Sequence, residues 1–277
     1  MRLFAVAAGL ACAALLTSGD ARAFCRTTTA HEPVPYDPVQ SGCWTAGKTL
    51  AWAAGQRIPY ALARDPSASI SLVEASHAAH VAFDAWNGAS CFGSMPNVQA
   101  YDDGPISDEA AADDCGINAC DPSVHDNLHV IKFDDSSWPF DDPNNTLAMT
   151  TVTYGVDSGE IYDADMQVNT WQHAISATEP PLDGTYDLQS ILTHEAGHFF
   201  GLAHATSMVP IMYAQYQPGH TQLTPDDIDG MCAVYPPISQ DHSGCAAAAG
   251  DAGSQGGWIA VGVLVVLLGV TASRRRR

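Results

Sequence analysis

The 277-residue sequence predicts one α+β domain. A hydrophobic content of 46% permits a sizeable core. From Leu188 onward, Leu188, Ile191, Leu192, Ala196 and Phe199 recur at helical spacing, so His194 sits on an amphipathic helix. The third observation is that no tandem repeat divides the chain, which leaves one body between two terminal addresses.

The N-terminal address starts at Met1-Arg2, runs through an apolar stretch to Leu16, and ends on the A-x-A pattern Ala21-Arg22-Ala23. It reads as a secretory signal peptide, residues 1–23, with Phe24 beginning the mature chain. Residues 24–43 then form an N-terminal extension, 44–238 the domain, and 239–257 a flexible Ala/Gly-rich linker containing Cys245. Residues 258–277 are expected to form a short transmembrane or sorting segment. Trp258 to Val270 is apolar but falls short of the roughly 20 residues of a full span, and Arg274 to Arg277 would stay cytoplasmic. Gly244-Cys245, a spacer, a short apolar helix and terminal arginines resemble the myxobacterial C-terminal sorting signal. That resemblance implies an exported protein, extracellular or held at the cell surface, processed near Cys245 and touching the membrane through its tail.

Export places Cys25, Cys43, Cys91, Cys115, Cys120 and Cys232 in an oxidising compartment, where disulfides are the default. Six cysteines allow fifteen pairings, and only Cys115 and Cys120 are close enough in sequence to suggest one staple. The formal net charge is −20, and the residues between the addresses, 24–273, hold 30 acids and 5 bases. A body this acidic repels polyanions, which excludes nucleic acid as a partner. A monomer is expected.

The chemistry concentrates in one stretch. His194 and His198 lie one helical turn apart on one face, so both imidazoles can reach one metal ion. Glu195 lies between them with a side chain long enough to reach a water on that ion. Gly201 can adopt positive φ, stop the helix and turn the chain back, bringing His204 in as a third nitrogen ligand. Three histidines and a water make an open catalytic zinc site. Met212 follows within Pro210-Ile211-Met212-Tyr213.

The complete H-E-x-x-H-x-x-G-x-x-H motif with its downstream methionine resembles the metzincin zinc proteases. His194 to His204, together with Leu223 to Gly230 and Tyr235, is similar to the matrixin branch, the matrix-metalloprotease-like metzincins. The resemblance runs from about Trp44 to Pro237 and assigns further elements. Ile58–Leu62 resembles the first strand of that domain, Val81–Trp86 its first long, backing helix, and Leu147–Tyr154 and Ile161–Asn169 its last two strands. It implies a zincin-type α+β fold, a twisted mixed five-stranded sheet with a backing helix and the motif on an active-site helix. The implied activity is a zinc-dependent endopeptidase acting on protein or peptide substrates, with Glu195 as catalytic base and His194, His198 and His204 as zinc ligands. Met212 would be a structural floor and Gly201 the turn. Tyr213 and Tyr216 would wall the side-chain pocket, and Leu147–Tyr154 would be the edge strand along which an extended peptide lies. Ala205 departs from the Ser usual in animal matrixins, and Phe92 to Pro139 is longer and more acidic than the family core requires.

Two weaker constellations remain. Asp163 and Asp165 alternate on one strand face, as in relatives that place structural ions nearby, and with the Asp-rich patches they make Ca2+ a candidate structural cofactor. His77, His80, His125 and His129 could each serve a second zinc. The competing class is a non-catalytic calcium-binding surface adhesion protein on the same fold. The intact Glu195 argues against it, since a binding module needs no such carboxylate.

Overall fold

The structure is a computed structural model that describes residues 23–107 and 128–238 and the backbone of Val261–Gly269. In chain order its described elements are β1 (Cys25–Arg26), α1 (Pro38–Ser41), β2 (Arg57–Leu62), α2 (Leu72–Asn87), β3 (Gln99–Asp102), β4 (Val130–Phe133), β5 (Thr146–Gly155) and β6 (Ile161–Val168). Then come β7 (Ile175–Ser176), β8 (Tyr186–Asp187), α3 (Leu188–Phe199), β9 (Leu202–Ala203), α4 (Pro225–Val234) and β10 (Val261–Gly269).

The main sheet runs β10-β5-β6-β4-β2-β3. Its five strands from β5 to β3 form the expected mixed sheet: β3, β2, β4 and β6 are mutually parallel, and β5 runs antiparallel to β6. The four segments assigned by resemblance fall in β2, α2, β5 and β6.

Helix α2 starts where Ser71 and Glu74 close a reciprocal capping box. Its buried stripe, Ala75, Ala78, Ala79, Ala82, Phe83 and Trp86, has helical spacing and is mostly alanine, so the helix can lie close to its neighbours. Phe83 stacks on Tyr60 of β2 at 4.1 Å and meets Phe199 of α3 edge-on at 5.0 Å. The Trp86 indole N–H donates to the Thr193 carbonyl at 2.8 Å, which pins the backing helix to α3. Asp187 caps α3 by accepting from the Gln189 and Ser190 amides. Every residue of α3 except Gln189 is buried. A surface helix would show a polar face; this one is wrapped on all sides, so its polar side chains must be satisfied inside.

The disulfides are Cys25–Cys43 and Cys91–Cys232. The first ties the N-terminal extension to itself, and the second joins the segment after α2 to α4 across 141 residues. Cys115, Cys120, the signal peptide and Cys245 lie outside the described residues.

The tail differs from its expectation. Residues 258–277 read as a short apolar helix at a membrane, but the described part, Val261–Gly269, is an extended strand antiparallel to β5. Among the described residues no helix is long and apolar enough to cross a membrane. The segment is rich in β-branched valine, which suits a strand better than a short helix. The outer edge of β5, expected to be open for peptide, therefore carries β10.

Candidate metal centre

His194 and His198 project from the last two turns of α3, and the chain then reverses at Gly201, whose φ is +85°. A Cβ at Gly201 would lie 2.7 Å from the Leu50 carbonyl oxygen, so both the turn and the close approach require glycine. Beyond it β9 pairs with β1 and carries the chain to His204. The three histidines meet: the ligand nitrogens lie within 4.8 Å of one another. The Nε2 atoms of His194 and His198 are 3.0 Å apart, and those of His198 and His204 are 3.3 Å apart.

The opposite ring nitrogens explain how these contacts are chemically possible. His194 Nδ1 lies 2.7 Å from the Ile211 carbonyl oxygen and His198 Nδ1 lies 2.8 Å from that of Leu202. A carbonyl only accepts, so each Nδ1 carries the proton and each Nε2 presents a lone pair. Lone pairs facing each other at 3 Å repel unless a cation lies between them. The edge of a tetrahedron of zinc–nitrogen bonds is about 3.3 Å, so this donor set fits a zinc ion. Burial pushes the His194 imidazolium down to about 4 and that of His198 well below its ordinary value, which keeps both rings neutral and ready to ligate.

Glu195 is fully buried. Its Oε2 accepts from the Thr150 hydroxyl of β5 at 2.5 Å, and its buried Oε1 has no hydrogen-bond partner among the described residues. Burial pushes this carboxyl up to about 8 without a metal, against the lowering by the Thr150 bond. A nearby cation would favour the ionised form and pull it back down.

Met212 is buried against α3. A Cβ on Gly197 would overlap the Met212 sulfur and lie 2.8 Å from Trp86 Cζ2, so the glycine inside the motif makes room for the methionine. The turn that carries Met212 is held from α4. Asp227 Oδ2 accepts from the Ile211 amide at 3.0 Å, and its Oδ1 accepts from the Met212 amide at 3.2 Å. The same carboxylate accepts from the Thr224 amide and hydroxyl, closing the α4 capping box. Sequence reasoning assigned no role to Asp227, Thr150, Trp86 or Gly197. An acid three residues after a candidate cap threonine was the one sequence signal for Asp227.

Tyr213 and Tyr216, expected at the pocket, do line a depression beside His194 with Ser190, Ile211, Gln215 and His220. The Tyr216 hydroxyl accepts from the Asp187 amide at 2.9 Å, and its ring meets Tyr186 edge-on at 5.0 Å. Tyr216 thus ties the pocket wall to the start of α3.

Among the described residues, Asp163 and Asp165 join no set of three or more metal-ligating side chains. Asp163 Oδ1 lies 2.8 Å from His129 Nδ1, both groups buried, and Asp165 Oδ1 accepts from the Val130 amide at 2.9 Å. Among the described residues, the three histidines are the one set of three or more His, Cys, Asp or Glu side chains close enough to share an ion. The second-zinc candidates separate likewise: His129 is spent on Asp163, His80 lies exposed beside Asp84 at 3.2 Å, His77 joins no such set, and His125 is outside the described residues.

Comparison with known proteins agrees with this geometry. Metalloendoproteinase 1 of Glycine max is 33% identical over 110 residues, covering 39% of this chain and 34% of that protein. Probable matrix metalloproteinase 095L of Invertebrate iridescent virus 3 is 32% identical over 117 residues, 38% of this chain and 29% of that protein. Interstitial collagenase of Bos taurus is 47% identical over 53 residues, 19% of this chain and 11% of that protein. The chain thus spans about a third or less of the length of these relatives. Over residues 128–236, which hold the three histidines, Glu195 and Met212, it matches the matrixin family.

Proposed function

We propose that this chain is a zinc-dependent endopeptidase that hydrolyses protein or peptide substrates outside the cell. The observation that carries the reading is the convergence of three imidazole Nε2 atoms, those of His194 and His198 with their lone pairs free, beside a buried glutamate with one oxygen unpartnered among the described residues. In this reading His194, His198 and His204 hold the ion. Zinc, when bound, supplies Lewis acidity toward the scissile carbonyl and toward the attacking water.

The rest belongs to the chain's own residues. Glu195, ionised next to the cation, takes the proton from the attacking water through its free Oε1 and later delivers it to the departing amine. The Thr150 hydroxyl fixes the other oxygen, so the carboxylate keeps one orientation through both transfers. The Ile211 and Leu202 carbonyls lock the tautomer and aim of two ligands. The depression walled by Tyr213 and Tyr216 receives one substrate side chain next to the scissile bond. Removal of the signal peptide at Ala23 belongs to the same reading, supported by two disulfides that suit an oxidising compartment.

Glu195→Gln tests the chemistry. It keeps the shape and the Thr150 bond but cannot accept a proton, so turnover of casein or gelatin should fall by at least about 10²–10⁴-fold while one equivalent of zinc stays bound by metal analysis. Cleavage by the wild type should stop with a zinc chelator and return with zinc. Cleavage that survives either treatment rejects the assignment, and no chelator-sensitive cleavage of any broad substrate points to a binding protein on this fold.

A further inference from the structure

We propose that Val261–Gly269 is an internal competitor that occupies the peptide-binding edge of β5, so that substrate must displace the chain's own tail. The proposal rests on the peptidase reading of the His194 site.

The argument starts from hydrogen-bonding capacity. A strand has two rows of backbone donors and acceptors, one on each edge. The inner row of β5 is used by β6, in register from Ala148 opposite Val168 to Tyr154 opposite Ile161. One row is left, and an extended peptide bound by strand addition would need it. The tail fills it along the whole strand, from Val261 opposite Gly155 to Gly269 opposite Thr146. Val266 stands opposite Thr150, the residue whose hydroxyl holds Glu195, so the tail backbone passes the catalytic carboxylate's anchor. All ten residues of β5 are buried, although no strand of residues 23–238 flanks its outer side.

The tail's composition fits this use. Val-Gly-Val-Leu-Val-Val-Leu-Leu-Gly has no proline, so every residue keeps its amide, and no charge that would resist a covered edge. It is joined to α4 through the same chain, beginning 27 residues beyond Val234. Covalent tethering of this kind gives an effective concentration on the order of millimolar. An external peptide therefore binds against a competitor that dilution does not remove.

The test uses the full chain, its length verified by intact mass, and compares wild type with the double variant Val265→Pro/Val266→Pro. One of two consecutive residues in an antiparallel strand directs its amide to the partner, so the pair of prolines removes that bond in either register and disfavours the ladder. The first readout is hydrogen exchange of β5. Its outward amides should exchange at least about tenfold faster in the proline variant, while the alternate amides bonded to β6 stay protected and serve as the internal reference. The second readout is cleavage of a quenched extended peptide, with KM falling by about tenfold or more and kcat little changed. Val265→Thr/Val266→Thr, which keeps both amides, should behave as wild type.

Equal exchange of the outward amides in both proteins overturns the proposal whatever the cleavage rates. Faster exchange with unchanged KM overturns it as well, because the strand would then cover the edge without competing. If neither protein cleaves any peptide, the peptidase reading fails on its own. Competition is then read from direct binding of a fluorescent extended peptide: tighter binding to the proline variant supports it, and equal binding rejects it.

Discussion

Two carboxylates sit at full burial, Glu195 on α3 and Asp227 on α4, and they are treated in opposite ways. Asp227 accepts four hydrogen bonds, from the Ile211, Met212 and Thr224 amides and the Thr224 hydroxyl. Glu195 accepts from one side-chain hydroxyl and keeps an oxygen without a partner. A buried carboxylate with every lone pair in use is a structural strut, because a charge inside a protein is tolerable when hydrogen bonds replace its water. One with an idle oxygen is held at a cost to stability, and such a cost is expected where chemistry needs the oxygen.

Exchanging each acid for its amide should break this contrast most visibly. Glu195→Gln should cost at least 10²–10⁴ in turnover, as argued above, and change stability of the metal-free protein by less than about 1 kcal/mol. Asp227→Asn should do the reverse in order of importance. An amide nitrogen cannot accept, so at least one of the three buried amides loses its partner, at about 1–3 kcal/mol, and the cap of α4 weakens. A total near 3 kcal/mol lowers Tm by roughly 6–12 °C for a chain of this size. Asp227 also acts through a relay: it fixes the Ile211 amide, and the Ile211 carbonyl fixes His194. Zinc affinity should therefore drop about 10–100-fold, measured by competition with a chromophoric chelator. Unchanged Tm and zinc affinity in Asp227→Asn would remove the strut from the account.

The two carboxylates also differ in how far the sequence could reveal them. Glu195, His194 and His198 fall within five residues on one helix, and Gly201 and His204 follow within the next six, so spacing alone carries their geometry. Asp227 acts on residues 15 and 16 positions away, Thr150 on one 45 away, and Trp86 on one 107 away. No local period reports such contacts. The same limit explains Asp163 and Asp165. Alternation correctly put them on one face of a strand, but their partners, His129 and the Val130 amide, lie 34 and 35 residues away. The α+β class and the strand positions were legible through resemblance, whereas the pairing of Cys25 with Cys43 and Cys91 with Cys232 needed the fold. The tail, expected as a short apolar helix, runs as a strand over Val261–Gly269, and in an apolar run without alternation length decides poorly between strand and helix.

Gly197 offers a sharper break at lower cost. Alanine in place of glycine inside a helix ordinarily stabilises by about 1 kcal/mol. Here the added Cβ would overlap the Met212 sulfur and crowd Trp86, so the sign should invert. Gly197→Ala should destabilise by about 1–3 kcal/mol, seen as a lower midpoint in urea, with weaker zinc retention because the crowded glycine adjoins His198. A stabilised Gly197→Ala would mean that the methionine is free to move aside, and that the floor of the site is softer than its packing implies.

A third carboxylate lies between the two extremes. Asp134, just after β4, is half-buried, and its Oδ2 has no hydrogen-bond partner among the described residues. Burial pushes its carboxyl up to about 6, with Lys132 opposing the shift and Asp135 adding to it. An acid whose folded value is raised holds its proton in the native state after the unfolded chain has released it. Stability therefore falls as pH rises from about 4 to about 6, and the penalty stays constant above that. Solvent screening keeps the penalty to about 1 kcal/mol, or roughly 2–4 °C in Tm. Asp134→Asn should leave Tm unchanged at pH 4 and raise it by that amount at pH 7.5, with the difference opening between. A gain already present at pH 4, or a loss at pH 7.5, would show that Asp134 is partnered and belongs with Asp227.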